Sequence, residues 1–292
     1  MEAYLVAIAT MTAIYMLLAI GLNLQYGFTG LINFGHVGFF CIGAYAAAIL
    51  SLYGAPALVG FALGAVLAAL AAWPIGLVSL KLRDDYFAIV TLGFGEVVRL
   101  VATSEQWLTN GVQGIPGVPP LFAGDGAQPL LVLGVLVAVN VVAALGMRVV
   151  VRSPFGRMIG AIRDNEDAVK ALGKDPAGFK IQVLMLGSAL AGIAGAFYAH
   201  YIGYIAPEQF VPLVTFQVWM AIIMGGVGRV SGALAGTVIL MLFLEGSRFL
   251  HDLAPFISDV QIASLRLGAI GLALVLFTLY RPQGIMGGRA GR

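Results

Sequence analysis

Apolar residues run along the chain in long blocks, separated by short clusters of glycine, proline or charge. The blocks are 4–23, 31–52, 57–80, 86–102, 129–151, 181–203, 214–228, 233–249 and 264–280. A helix crosses about 30 Å of hydrocarbon with roughly 20 such residues. The pattern therefore predicts an all-α, polytopic integral membrane helical bundle of about nine transmembrane helices, with eight and ten as bounds. The blocks 86–102 and 214–228 are short or broken by glycine, and suit re-entrant or half-helices. Two glycine-broken runs, one from Gly27 and one from Ile222, suggest a weak internal duplication.

Composition agrees with that reading. Of 292 residues, 60% are hydrophobic and 10% charged, with a mean hydropathy of +0.97. A soluble domain carries about a quarter charged residues to solvate its surface, so the solvent here is a bilayer, and lipid rather than nucleic acid is the expected neighbour. All of 1–292 reads as one transmembrane domain, with 103–128 and 152–180 as its long loops. The first block is longer than a signal-peptide core and follows Glu2 rather than a basic residue, so it reads as a retained span. Cys41 is the single cysteine, which excludes an internal disulfide and a cysteine metal cage.

Charge orients the bundle. Seven of the sixteen basic residues, Arg148, Arg152, Arg157, Arg163, Lys170, Lys174 and Lys180, lie in or beside 151–181. Positive loops stay cytoplasmic. Counting spans from that loop puts Lys81, Arg83, Arg229, Arg281, Arg289 and Arg292 on the same side. The loops 103–128, 204–212 and 250–263 hold Glu105, Asp125, Glu208, Asp252 and Asp259 but no lysine or arginine, and read as outward. The amino terminus is then outside and the carboxyl terminus cytoplasmic.

Within the basic loop, RDNEDAVKALG from Arg163 to Gly173 is a charged island. Ser153 followed by Pro154 predicts a helix start, and the helix is expected to reach Ile162. Asp164 is expected to cap a second helix, with Asp167 three residues on and Gly173 as its left-handed end. Ala168, Val169, Ala171 and Leu172 give that helix an apolar side. Two turns do not hold in water alone, so the helix must dock.

Inside the spans, Glu96 and Arg99 are three apart, as are Glu245 and Arg248, and each can pair on one helix face near a helix end. His36 and His200 lack the neighbouring ligands a metal site needs. His36 lies between Gly35 and Gly38, where a helix can break and expose polar backbone, so Asn33, His36 and Glu96 are candidate pathway residues. TNGVQGIPGVPP, with Glu105, Asp125 and Glu208 nearby, forms turns that could meet a basic partner outside.

The island resembles the cytoplasmic coupling segment of permease subunits in bacterial ABC importers. GRMIGAIRDNEDAVKALG is similar to that segment in the branched-chain amino acid permeases, the LivM-type subunit. The likeness extends over NLQYGFTGLINFGHVGFFCIGAYAAA from Asn23, DDYFAIVTLGFGEVVRL from Asp84, TNGVQGIPGVP from Thr109, AGIAGAFYAHYIGYIAPEQF from Ala191 and IMGGVGRVSGALAG from Ile223. The general importer pattern, Glu-Ala-Ala then glycine, appears as Glu166, Asp167, Ala168 with Gly173 one position late.

The resemblance implies a bacterial inner-membrane permease working by alternating access. Its partners would be a second homologous permease in a heterodimer, two cytoplasmic ATP-binding subunits and an external substrate-binding protein. It implies ATPase coupling through Arg157, Arg163, Asp164, Asn165, Glu166, Ala168, Leu172 and Gly173. No Walker A sequence occurs, so no cofactor is expected in this chain and partner subunits would hydrolyse the ATP. Branched-chain amino acids are the implied cargo, with other amino acids, urea or short amides as alternatives. A stand-alone secondary transporter or channel for a small polar solute remains the other class, and leaves the docked helix without a role. An intramembrane enzyme needs a clustered nucleophile, acid–base pair or metal set, and the sequence shows none.

Overall fold

Hydrocarbon leaves peptide groups no partner outside the protein, so an apolar block satisfies them by becoming a helix. In the computed structural model, which describes residues 2–79, 82, 84–122, 128–246, 265, 268, 271, 272, 275, 276, 279, 280 and 284–286, the blocks do so. The helices are α1 (Glu2–Asn23), α2 (His36–Leu52), α3 (Ala57–Ser79), α4 (Asp84–Ser104), α5 (Gln106–Thr109), α6 (Gln128–Arg152), α7 (Pro154–Asp164), α8 (Glu166–Ala171), α9 (Pro176–Ile202), α10 (Pro212–Gly225) and α11 (Val230–Gly246). A π-turn, Leu24–Phe28, prolongs α1. Two-residue strands β1 (Ile115–Pro116) and β2 (Tyr204–Ile205) pair antiparallel, Ile115 opposite Ile205.

Six helical stretches are long and apolar enough to cross a membrane, and His36–Leu52 and Val230–Glu245 are shorter apolar helices. Most of the expected ninth span, 264–280, lies outside the described residues, as do Arg248 and the loop 250–263. The breaks fall differently from expectation in one respect. Block 86–102 is a full helix of 21 residues, whereas block 31–52 is the interrupted one and becomes helical only at His36. The reason is local: Gly30 takes φ +83°, and Asn33 Oδ1 accepts a bond from Gly35 N at 2.9 Å, a turn that competes with the helix. Block 214–228 falls in a helix of 14 residues ending at Gly225, which together with the turn from Pro207 makes one of the six candidate spans.

Helices α1, α2 and α9 form the centre, with α3, α4, α6, α10 and α11 packed around them. Small residues bring backbones together. A Cβ on Gly43 of α2 would collide with Gly192 of α9, and one on Gly192 with the carbonyl of Gly64 on α3. The two glycine-broken runs also touch, since a Cβ on Gly27 would meet Gly228.

Loops sort into two ends. At one, Arg163 meets Gly27, Asn23 meets Arg229, Arg229 meets Met286 and Gly76 lies against Ile181. At the other, His200 contacts Pro119 and Ser51, and β1 meets β2. Among the described residues, the basic segment around Arg163 therefore neighbours Arg229, and 113–119 neighbours 200–205, while Lys81, Arg83 and the loop 250–263 lie outside them.

Candidate functional site

Two features carry polar chemistry, the break before α2 and the helix pair α7–α8. At the break, Gln25 is fully buried. Its amide donates to Leu184 O at 3.1 Å and to Ser188 Oγ at 3.4 Å, and its oxygen accepts from Asn33 Nδ2 at 2.9 Å. Phe34 N donates to Thr91 Oγ1 and Val37 N to Thr215 Oγ1, both at 3.0 Å. Trp219 Nε1 donates to Asn33 O at 3.0 Å. Side chains from α4 and α10 thus take up backbone groups freed at the break, the condition for keeping irregular backbone at membrane depth.

Beside the break, aromatic rings line a cleft of about 560 Å³ with one side-chain amide, Gln217, among them. Tyr26 and Trp219 have ring centroids 4.2 Å apart, and Phe34 lies 5.3 Å from both Phe216 and Trp219. The expected pathway residues do not converge on this cleft. Asn33 is spent on the break's own hydrogen bonds. His36 is buried at the first turn of α2 beside Gly21, with neither ring nitrogen hydrogen-bonded. Glu96 lies on α4, hydrogen-bonded by Arg99. Helix α4 runs on to Ser104, five residues past Arg99, so the pair lies somewhat farther from the helix end than the block 86–102 implied. Sequence reasoning missed Tyr26, Phe34, Phe216 and Trp219, whose only signal is that aromatics cluster beside both glycine-broken runs.

In the helix pair, Ser153 Oγ accepts from Gly156 N at 3.3 Å, as expected of a cap. The second cap is a correction. Helix α7 runs through Asp164 rather than stopping at Ile162, and Asn165, with φ −161° and ψ 97°, caps α8 by accepting from Ala168 N at 3.0 Å. Asp164 is instead held by Arg163, whose Nε and Nη2 donate to its Oδ1 at 3.1 and 3.0 Å. Gly173 has φ +72°, the left-handed end predicted for it.

Only part of the apolar side of α8 is used. Val169 is buried, while Ala168, Ala171 and Leu172 are exposed, Leu172 at 80%. Arg157 is exposed as well. Beside the apolar packing of Ile159, Ile162 and Val169 and the Phe155–Phe179 ring contact, two polar contacts tie the pair to the bundle. Arg163 Nη1 donates to Gly27 O at 2.9 Å, just before the break, and Glu166 Oε2 accepts from the buried Lys180 Nζ at 2.5 Å, at the foot of α9.

Burial alone would push the Glu166 carboxyl up, but hydrogen bonds and charge from Lys180 and Lys170 hold it below the usual carboxylate range. Lys170 is held above the usual lysine value by its hydrogen bond to Glu166. A lowered carboxyl stabilises the fold above its unfolded value and loses that contribution as pH falls through the folded one. A raised lysine contributes below its unfolded value and loses it as pH rises through the folded one. Amide exchange in α8, corrected for intrinsic rates, is therefore expected to be slowest between these limits and to quicken on either side. Glu166→Gln should flatten the acidic limb. An unchanged acidic limb in that variant sinks the assignment.

A bundle of apolar spans, interrupted at a hydrogen-bonded break beside an aromatic cleft and carrying a capped helix pair at one end, has the make-up of a multi-pass membrane permease. The chain belongs to the branched-chain amino acid transport system / permease component family, whose sequence model matches residues 4–278. It is 32% identical to the high-affinity branched-chain amino acid transport system permease protein LivM of Salmonella typhimurium, over 96% of this chain and 69% of the relative. The probable branched-chain amino acid transport permease protein LivM of Methanocaldococcus jannaschii is 25% identical over 94% and 90%. The LivH permease of Escherichia coli is 24% identical over 95% and 92%. No solved structure matches the chain.

Proposed function

We propose that this chain is one half of the translocation pore of an ATP-driven importer for branched-chain amino acids, working by alternating access in the bacterial inner membrane. A second, LivH-like permease completes the pore, two ATPases dock from the cytoplasm, and an external binding protein delivers cargo to the acidic outer loops. The amino terminus is outside and the carboxyl terminus inside. Similarity to both LivM and LivH supports the pairing, and the basic loop supports the orientation.

The observation that carries the reading is the double attachment of α7–α8. A push on the exposed Leu172 face reaches the broken helix through Arg163 and Gly27, and the central helix α9 through Glu166 and Lys180. A surface displacement would thereby move the wall of the path. The chain itself performs no covalent chemistry in this scheme.

Affinity purification from native membranes tests it. Wild type is expected to bring down a P-loop ATPase and a second permease. Leu172→Glu, which puts a charge into the docking face without touching the bundle, should lose the ATPase, keep the permease and cut leucine uptake by about tenfold or more. Retention of the ATPase by Leu172→Glu removes α8 from the interface. Uptake that follows an ion gradient with no ATPase present makes the chain a secondary transporter.

A further inference from the structure

Helix α4 carries an ion pair in its second half, with Arg99 five residues before Ser104. Glu96 stands twelve residues after Asp84 and eight before Ser104, about 18 Å and 12 Å along the axis at 1.5 Å per residue. Arg99 Nε donates to the two Glu96 oxygens at 3.1 and 3.0 Å. Yet the pair is not inside the subunit: the Arg99 side chain is 25% exposed and that of Glu96 39%. Tyr86, Ile89, Gly93, Val97 and Leu100 continue the same outward stripe, and a Cβ on Gly93 would meet nothing within 4 Å. Other ion pairs lie within 163–180, in the helix pair at the opposite end from β1 and β2.

Ionised groups at this depth face protein or water, because lipid tails cannot solvate them. Such a pair calls for protein or water beside it. A third charge extends the stripe. Glu208 is exposed on the turn Pro207–Gln209, which packs against α4. From the end bearing β1 and β2 inward, the charges read minus, plus, minus.

We propose that this face of α4 is a wall of the aqueous route, and that Glu96 and Arg99 form a transfer point for zwitterionic α-amino acids. The inference rests on the importer reading. An α-amino acid carries an ammonium and a carboxylate on one carbon, so a single ligand can give Glu96 a cation and Arg99 an anion as their mutual bond opens. The planar guanidinium suits a carboxylate in particular. A neutral amide or urea supplies neither charge and leaves the opened pair uncompensated. Reclosure of Glu96 on Arg99 expels the cargo, which keeps the point weak enough for turnover.

The test uses the assembled importer in proteoliposomes, with Cys41→Ala to remove the single native thiol. Gly93→Cys and Val97→Cys are treated with a charged, membrane-impermeant thiol reagent beside Val142→Cys, an exposed position on α6. The α4 positions are expected to react about tenfold faster or more, since only the thiolate reacts and lipid suppresses it. Glu96→Gln with Arg99→Gln, a neutral pair that strands no charge, should lower maximal leucine uptake by about tenfold at unchanged KM for the loaded binding protein and unchanged assembly. Labelling no faster than at Val142→Cys, or wild-type uptake by the neutral pair, overturns the proposal. Absence of ATP-dependent uptake in the wild type is a different failure, that of the importer reading, and the labelling ratio still decides whether the stripe meets water.

Discussion

Replacing Gly192 by leucine is expected to abolish folded protein in the membrane. The backbones of α2, α3 and α9 touch at this level: a Cβ on Gly192 would collide with Gly64 O and lie 2.8 Å from the Ala68 side chain, and one on Gly64 would lie 3.1 Å from Gly43 O. No flexible side chain is available to yield, so the helices must separate. Overpacking costs roughly 1–3 kcal/mol even where neighbours can shift, and here contacts along three central helices are lost together. Because packing rather than apolar burial drives association in lipid, the penalty falls on the main source of stability. Yield and thermal unfolding in detergent are the measurements. Gly134→Leu on α6, where a Cβ meets nothing within 4 Å, should behave as wild type. Normal yield and melting of Gly192→Leu would falsify the three-helix contact.

Arg163→Gln is expected to uncouple the importer rather than dismantle it. Arg163 links Asp164 on the helix pair to the Gly27 carbonyl beside the break, while Asn165, Glu166 and Leu172, which shape and present α8, are untouched by the change. Glutamine cannot span both partners, so ATPases should bind and hydrolyse at near-normal rates while cargo moved per ATP falls by about tenfold or more. The ratio of uptake to hydrolysis is the readout, because a folding defect lowers both in step. Parallel losses return Arg163 to a purely structural role. Arg163→Lys should also uncouple, since an ammonium is a single point donor where the guanidinium is a fork.

Much of this architecture was legible from the pattern of apolar blocks, since hydrocarbon permits so few solutions. The capped pair α7–α8 was legible too, because Ser153, Pro154 and Gly173 each have a narrow backbone role. The precise cap was not: Asp164 and Asn165 are equally good caps by type, and the competition was decided by Arg163 engaging the aspartate. The break before α2 was visible only as Gly35 and Gly38 around His36. Its true position depends on Gln25, Thr91, Thr215 and Trp219, which arrive from three parts of the chain. The cleft was hidden for a similar reason, as Tyr26 and Trp219 are ordinary apolar positions until the fold stacks them.

The pairing of β1 with β2 looks trivial beside these helices, but it acts as a clasp. Val118 N bonds to Gly203 O, Tyr204 Oη to Gln113 O, and the His200 ring meets both Pro119 O and Ser51. Together they fasten the ends of α2, α4 and α9 at that pole. Parting those helices there means undoing the whole clasp at once, whereas α10 begins at Pro212 with no side-chain cap and is held instead through Thr215 and Trp219 to the break before α2. In the alternating-access scheme proposed above, the clasp would act as the fixed point, and a displacement of the break would carry Trp219 with it.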